Sequence, residues 1–391
     1  MMTSHHSTST TAFATFAAFG AFWGTWGASV PRLRTQTGID DGQLGIALLF
    51  IGAGALPAML LAGRAVDRWG QTTAALALLA LGGSGVAVAV LATDYVGLCI
   101  GLLLVGVSSG ATDVAMNAAA GRAEQVSGKP IITHAHAVFS VFVVLFSLGT
   151  GLLGGSGKAV VVPFVLVGVL SAAASLLLLT GNRPRPLNNE PVQLEPAAQP
   201  GLNLLPLLLI GVLGALAFAS ENAHQSGGAV FFEDVLATGP GVSAMAPAVF
   251  AGVVAVTRFS IGSLTSRHAQ TILVAGSAAA AAGAFLLAGS STLGSAITGL
   301  VLAAGGTAVL FPTLMGVVSR SVEESRRGRA TSLLASVSYL GFLLGPVYVG
   351  AWSEFDGLRS AMVAVAALGV ALLVLVPVIL RINRSQTKLS A

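Results

Sequence analysis

Charge is what this chain has least of. Asp, Glu, Lys and Arg together make up 9% of its 391 residues, where soluble domains carry about 25%. So little charge cannot clothe a water-facing surface, which excludes an ordinary soluble globule. Cysteine occurs once, as Cys99. A disulfide framework and a cysteine-based zinc site are therefore excluded. The net charge of +4 comes from basic residues scattered over loops and the tail. Without a basic patch, nucleic acid is not expected as a partner. The leading MMTSHHSTST lacks the positive region and cleavage site of a secretory signal, so the apolar segment behind it is read as a retained helix. No nucleophile–base arrangement, phosphate loop or metal-ligand spacing occurs. Neither an enzyme, a cofactor nor a metal site is expected.

What is present is apolar sequence. The chain is 54% hydrophobic with a mean hydropathy of +0.86. A membrane-spanning helix needs ~20 apolar residues. Segments of that length fall at about 11–30, 43–62, 72–92, 95–120, 134–155 and 160–181. They recur at about 202–226, 242–264, 270–288, 291–318, 328–352 and 358–381. The stretch GNRPRPLNNEPVQLEPAAQP (181–200) divides them six and six. The expected fold is an all-α membrane protein of twelve transmembrane helices. Residues 1–181 form an N-terminal six-helix bundle, 182–201 a cytoplasmic linker and 202–391 a C-terminal six-helix bundle.

Lysine and arginine placement sets the orientation. With the N-terminus inside, fourteen of the nineteen fall in cytoplasmic segments and four outside, and Arg258 alone lies within a span. Both termini are then cytoplasmic. The halves also echo each other. Gly63, Arg68 and Gln71 recur as Gly262, Arg267 and Gln270, each 199 positions later. Parallel six-helix repeats are a known transporter architecture.

The loop GRAVDRWGQ (63–71) resembles the signature loop of the major facilitator superfamily, with Gln71 in the last basic position. Gly63 and Gly70 suit close helix approach and a tight turn. Asp67 can face the positive end of a helix, and Arg68 can meet headgroups or a carboxylate. By resemblance, Gly63, Asp67, Arg68 and Gly70 act as a cytoplasmic gate. The stretches 28–49, 112–140, 221–236 and 257–267 look like those of the YbjJ-like bacterial group of that superfamily. The resemblance covers nearly the whole chain. It departs at Asn222, Ser226, Gly227 and Ser263, so it implies fold and class more than cargo.

A few polar residues interrupt the apolar runs. Asp113, Asn117 and Glu124 share one helical face. A carboxylate in a membrane is costly, about 3 kcal/mol on the insertion scale, so Asp113 faces protein or a watery cavity. With Asn117 it suits proton coupling or a hydroxylated substrate. The plainer reading is that Asp113 only pairs with Arg258 or caps a helix. Glu124, at the interface, joins the gate or is solvated. His134 and His136 open the fifth span, where His136 is a candidate proton relay and both can be merely interfacial. Glu221 and His224 stand three apart near the end of the seventh span, before glycines that allow unwinding. They either bind substrate or a proton, or sit in an external loop. Arg258 needs an anion, and Asp113 matches it in depth.

The expectation is a secondary transporter for a small polar solute, working by alternating access, proton-coupled and as a monomer among membrane lipids. The alternatives are efflux of amphipathic compounds, or a facilitator-fold sensor that moves nothing. The topology has a direct test. Reporter fusions after Gly181 and after Ala391 should both report the cytoplasm, and a periplasmic signal at either point refutes the twelve-span reading.

Overall fold

In the computed structural model, residues 2–128, 131–155, 160–180, 204–261, 268–322 and 324–389 are described. Every regular element among them is an α-helix. The first group comprises α1 (Met2–Thr37), α2 (Asp41–Trp69), α3 (Gln71–Leu91), α4 (Tyr95–Ser127), α5 (Ile131–Gly155) and α6 (Val161–Thr180). The second begins with α7 (Leu204–Asp234), α8 (Pro240–Ser243), α9 (Met245–Ile261), α10 (Ala269–Ala288), α11 (Leu293–Ala308) and α12 (Leu310–Ser321). The helical stretch Glu324–Leu389 is broken at Asp356 and at Gly357, whose φ is +80°. It therefore forms α13 (324–355) and α14 (358–389). The expected linker at 182–201 and the repeated loop at 262–267 lie outside the described residues.

Ten stretches are long and apolar enough to cross a membrane, among them Arg329–Ile382, which the break at 356–357 divides. The helix α1 is not one of the ten. Its apolar run is diluted by Gly20, Gly24, Thr25 and Gly27 and by two tryptophans. Its position explains how it tolerates that dilution, since Phe16 and Phe22 are fully buried and α1 packs on α5, α6, α4 and α7. Large apolar side chains instead face outward elsewhere, including Leu60, Leu61 and Leu152. That is the surface a lipid solvent requires.

Turn chemistry fixes the helix ends. Asp40 caps α2 by accepting from the Gln43 amide at 2.7 Å, and the Gln43 side chain answers the Asp40 amide. Asp94 caps α4 by accepting from the Gly97 amide at 2.7 Å. Gly70, at φ +57°, ends α2 and starts α3. Between helices, backbones approach closely where side chains are absent. A methyl on Gly106 would strike the Ile51 backbone, and one on Gly341 the backbone of Ala215. Several helices outrun the expected spans: α1 covers Met2–Thr37, α2 runs on to Trp69, α4 to Ser127, and α7 through Gly227 and Gly228 to Asp234. Those two glycines do not unwind the helix. They face Met362 and Ala246 at packing distance.

Helices of each group pack mainly on one another, as in α2 on α4, α3 on α6, α7 on α13 and α10 on α11. The groups meet through α2 on α13, α5 on α8 and α9, and α1 on α7. These junctions gather at the end that holds the α1–α2 turn. There Gly45 lies against the Pro346 carbonyl and Gly350, and Ser147 Oγ donates to the Ala244 carbonyl at 2.8 Å.

Because the Gly341 clash is with backbone, which cannot rotate away, Gly341→Ala should cost about 1–3 kcal/mol of stability. Gly63→Ala, whose methyl meets nothing within 4 Å, should match or exceed the parent. Thermal unfolding in detergent reads both. An unchanged midpoint for Gly341→Ala refutes the close α7–α13 contact.

Candidate functional site

The chemistry of the second helix group converges on Arg258 of α9. Its Nη2 donates to both carboxylate oxygens of Glu221 on α7, at 3.1 and 3.3 Å. Its Nε donates to the Ala308 carbonyl at 3.2 Å. Glu221 is buried, whereas the Arg258 side chain is 43% exposed. An arginine at membrane depth is expected to face protein or a water-filled space and not hydrocarbon. The neighbouring Asn222 donates through Nδ2 to the Phe342 carbonyl of α13 at 2.6 Å, and its Oδ1 accepts from Ser226 Oγ at 2.9 Å.

The first group contributes Asp113 and Asn117 of α4. Asn117 Nδ2 donates to the Asp113 carbonyl at 2.9 Å and to Asp113 Oδ1 at 3.1 Å. The shared face read from their spacing is therefore real. The expected pairing of Asp113 with Arg258 is absent from this structure. Among the described residues Arg258 bridges to Glu221, and Asp113 belongs to no ion pair. Adjacency decides this. Helix α9 packs on α11, α5 and α7, and Glu221 sits on α7 with both oxygens in reach. The two groups do sense each other electrostatically. Tyr339 of α13 feels both Asp113 and Glu221, and His136 of α5 feels Arg258. His136 is exposed on one side and packs edge-on against buried Phe16, ring centroids 5.0 Å apart. His134, two residues earlier, is also exposed. Across the two helix groups, then, Tyr339 is within electrostatic reach of Asp113 and Glu221, and His136 of Arg258.

His224 does not join them. It is fully buried, its Nδ1–H donates to the Ser220 carbonyl of its own helix at 2.7 Å, and it stacks on Phe250 of α9. Its Nε2 is buried without a partner. Glu221 and His224 sit inside α7 and not in an external loop, and Glu221 turns to Arg258 instead of the histidine.

The loop expected at 63–71 is mostly helix, because α2 runs on to Trp69 and only Gly70 separates it from α3; Asp67 and Arg68 are exposed on that last part of α2. Asp67 is in electrostatic reach of Arg122 on α4, and Arg68 lies over the Trp69 ring at 5.6 Å. Gly70 makes the tight turn expected of it. Gly63 makes no close helix contact. Glu124 is spent within its own group, where Oε2 accepts from the Ile132 amide at 3.0 Å and so caps α5.

At the opposite end Arg34 of α1 holds Asp41 of α2 at 2.5 Å and also Asp234 of α7. Ser353 Oγ of α13 donates to the other oxygen of Asp41. One arginine thus ties the two groups together where their helices already touch. Sequence reasoning missed this network, and it missed Tyr339 and Asn222. Only the crowding of Arg34, Asp40 and Asp41 around one turn hinted at the first.

The sequence profile of the family described as the Major Facilitator Superfamily matches residues 11–305 and 210–391. An uncharacterized MFS-type transporter of Yersinia pestis is 28% identical over 347 residues, 87% of each chain. Among solved structures, a bacterial homologue of the human lysosomal transporter Spinster, inward-facing and unoccupied, aligns with a TM-score of 0.79. Its identity is 16%, and the match covers 98% of each chain. A D-xylose–proton symporter aligns at 0.73, with 15% identity over 95% of this chain and 97% of that one. The chain belongs to the Major Facilitator Superfamily, and it is a membrane transporter, not an enzyme.

Breaking one partner of a buried ion pair leaves the other uncompensated. Arg258→Gln should therefore lower stability by about 3 kcal/mol, the low end of the usual range, because the guanidinium is partly solvated. Adding Glu221→Gln should recover part of the loss. Additive losses in thermal unfolding would refute the pair.

Proposed function

We propose that this chain moves a small polar solute across a bacterial inner membrane by alternating access, coupled to protons. Twelve passes and two six-helix halves around a central cavity are the architecture of that reading. The observation that supports it best is the electrostatic reach between polar groups of the two helix groups, His136 to Arg258 and Tyr339 to both Asp113 and Glu221. Asp113 with Asn117 and His136 come from the first, and Glu221 with Arg258 from the second. A membrane-embedded site lined from both halves is what rocking halves can expose to either side in turn.

The bias of lysine and arginine assigns the ends. The end held by Arg34, Asp41, Asp234 and Ser353 is then outward and closed. The end carrying Asp67, Arg68 and Arg122 is cytoplasmic, and the site opens to it. Asp113 is the coupling carboxylate, because the hydrogen bond its carboxylate accepts among the described residues comes from Asn117, which is neutral. Glu221 already has a cation. Asn117 and Tyr339 supply hydrogen bonds to a hydroxylated solute. The end of α2 and its turn into α3, with Gly63, Asp67, Arg68 and Gly70, act as the cytoplasmic gate, and lipid headgroups surround them. Glu124 supports that gate by fixing the start of α5.

Proteoliposomes loaded with a pH-sensitive dye test this. Challenged in turn with sugars, nucleosides, amino acids and polyols, they should acidify with at least one solute. Asp113→Asn should abolish the acidification. Undiminished acidification in that variant removes Asp113 as the coupling group. Movement of none of the solutes favours the sensor.

A further inference from the structure

Two consecutive residues of α7 are tied to neighbouring helices through backbone carbonyls, directly or through one side chain. Arg258, which bridges Glu221, donates to the Ala308 carbonyl, and Asn222 donates to that of Phe342. Each carbonyl stands four residues before a proline: Ala308 before Pro312, Phe342 before Pro346. In an uninterrupted helix a carbonyl accepts from the N–H four residues ahead. Proline has no N–H to give. Both carbonyls are thus deprived of their helical donor at a depth where water does not replace it.

We propose that Pro312 and Pro346 are positioning residues of the site. Each frees one carbonyl to serve as a fixed acceptor, one for Arg258 and one for Asn222. This rests on the reading of Glu221 and Arg258 as part of the transport site. The guanidinium is planar, so fixing Nε on Ala308 and Nη2 on Glu221 fixes the whole fork. Its Nη1 makes no hydrogen bond to the described residues and is the edge left for the space between the helix groups. The Asn222 amide is oriented just as firmly, with nitrogen to Phe342 and oxygen to Ser226. The backbone around Pro312 is shaped for the task. Val309 interrupts the helix between α11 and α12, at φ −95° and ψ −16°.

The mechanism makes a paired prediction. Pro312→Ala restores an N–H to the Ala308 carbonyl and should make Arg258 less important. Pro346→Ala should do the same for Asn222 only. The experiment is a set of double-mutant cycles on the full-length chain, read as midpoints of thermal unfolding in detergent without any solute. Arg258→Gln should lower the midpoint visibly less in the Pro312→Ala background than in the parent. Asn222→Ala should behave likewise with Pro346→Ala. The crossed combinations, Arg258→Gln with Pro346→Ala and Asn222→Ala with Pro312→Ala, should be additive.

A conservative variant separates positioning from bulk stability. Arg258→Lys keeps the charge for Glu221 but cannot hold the carbonyl and the carboxylate together. It should be costly in the parent and nearly neutral with Pro312→Ala. Additive own pairs, or crossed pairs that couple as strongly, overturn the proposal. If Pro312→Ala does not fold, the Asn222 and Pro346 square decides. Because no solute enters the measurement, failure here is distinct from failure of the transport reading.

Discussion

A polar group inside a membrane protein must be answered by another part of the protein or by an enclosed aqueous space. That constraint governs this molecule from its composition to its site. It limits the elements to helices, whose backbone bonds close on themselves. It puts leucine on the outside and glycine at helix crossings. It also makes each proline inside a helix an event, because a carbonyl then lacks its donor. At two such places the donor comes from a side chain, Arg258 or Asn222. On the proposed reading, the two prolines and the polar cluster are parts of one solution.

The two helix groups meet the same constraint differently. In the second group the charge is balanced locally: Glu221 is buried and Arg258 spans both of its oxygens. In the first, Asp113 has only an amide. A neutral amide can orient a carboxylate but cannot cancel its charge. On the proposed mechanism this asymmetry divides the labour. The balanced pair stays as a fixed polar wall, while Asp113 awaits a positive partner. A proton is the smallest such partner, and its arrival removes the charge that holds the site hydrated.

Much of this was legible in the sequence, and the boundary has a physical cause. Period and length disclose helices, so the apolar runs predict the spans. The 100° turn places Asp113 and Asn117 on one face without any structure. The need of Arg258 for an anion also follows from its depth. Which anion it finds does not. Depth along a helix says nothing of which helix stands beside it, and so the pairing with Asp113 was expected where Glu221 stood. The same blindness hid Asn222 and Tyr339, whose roles exist only once α13 packs on α7. Even the arithmetic of a proline and the carbonyl four residues earlier was open to inspection. It gained meaning only when Arg258 and Asn222 proved to be the donors. Glu124 and His224 show the converse, that residue chemistry alone does not disclose the partner: Glu124 accepts from the Ile132 amide, and His224 is buried against Phe250.

The closed end shows how such a molecule can hold one state without being trapped in it. Arg34, Asp41 and Asp234 have side chains 17%, 22% and 34% exposed. Charges so largely buried lose hydration that offsets much of their attraction, so the pairs add little net stability. Packing adds to the closure, with Gly45 against Pro346 and Gly350, and Gly151 against Ala244. Glycine contacts bury little apolar area and fix no long side chain, so separating them costs little. A lock built of partly buried charges and bare backbone can distinguish open from closed while leaving the two close in free energy. A modest difference in how the two states bind solute or proton then suffices to move the balance.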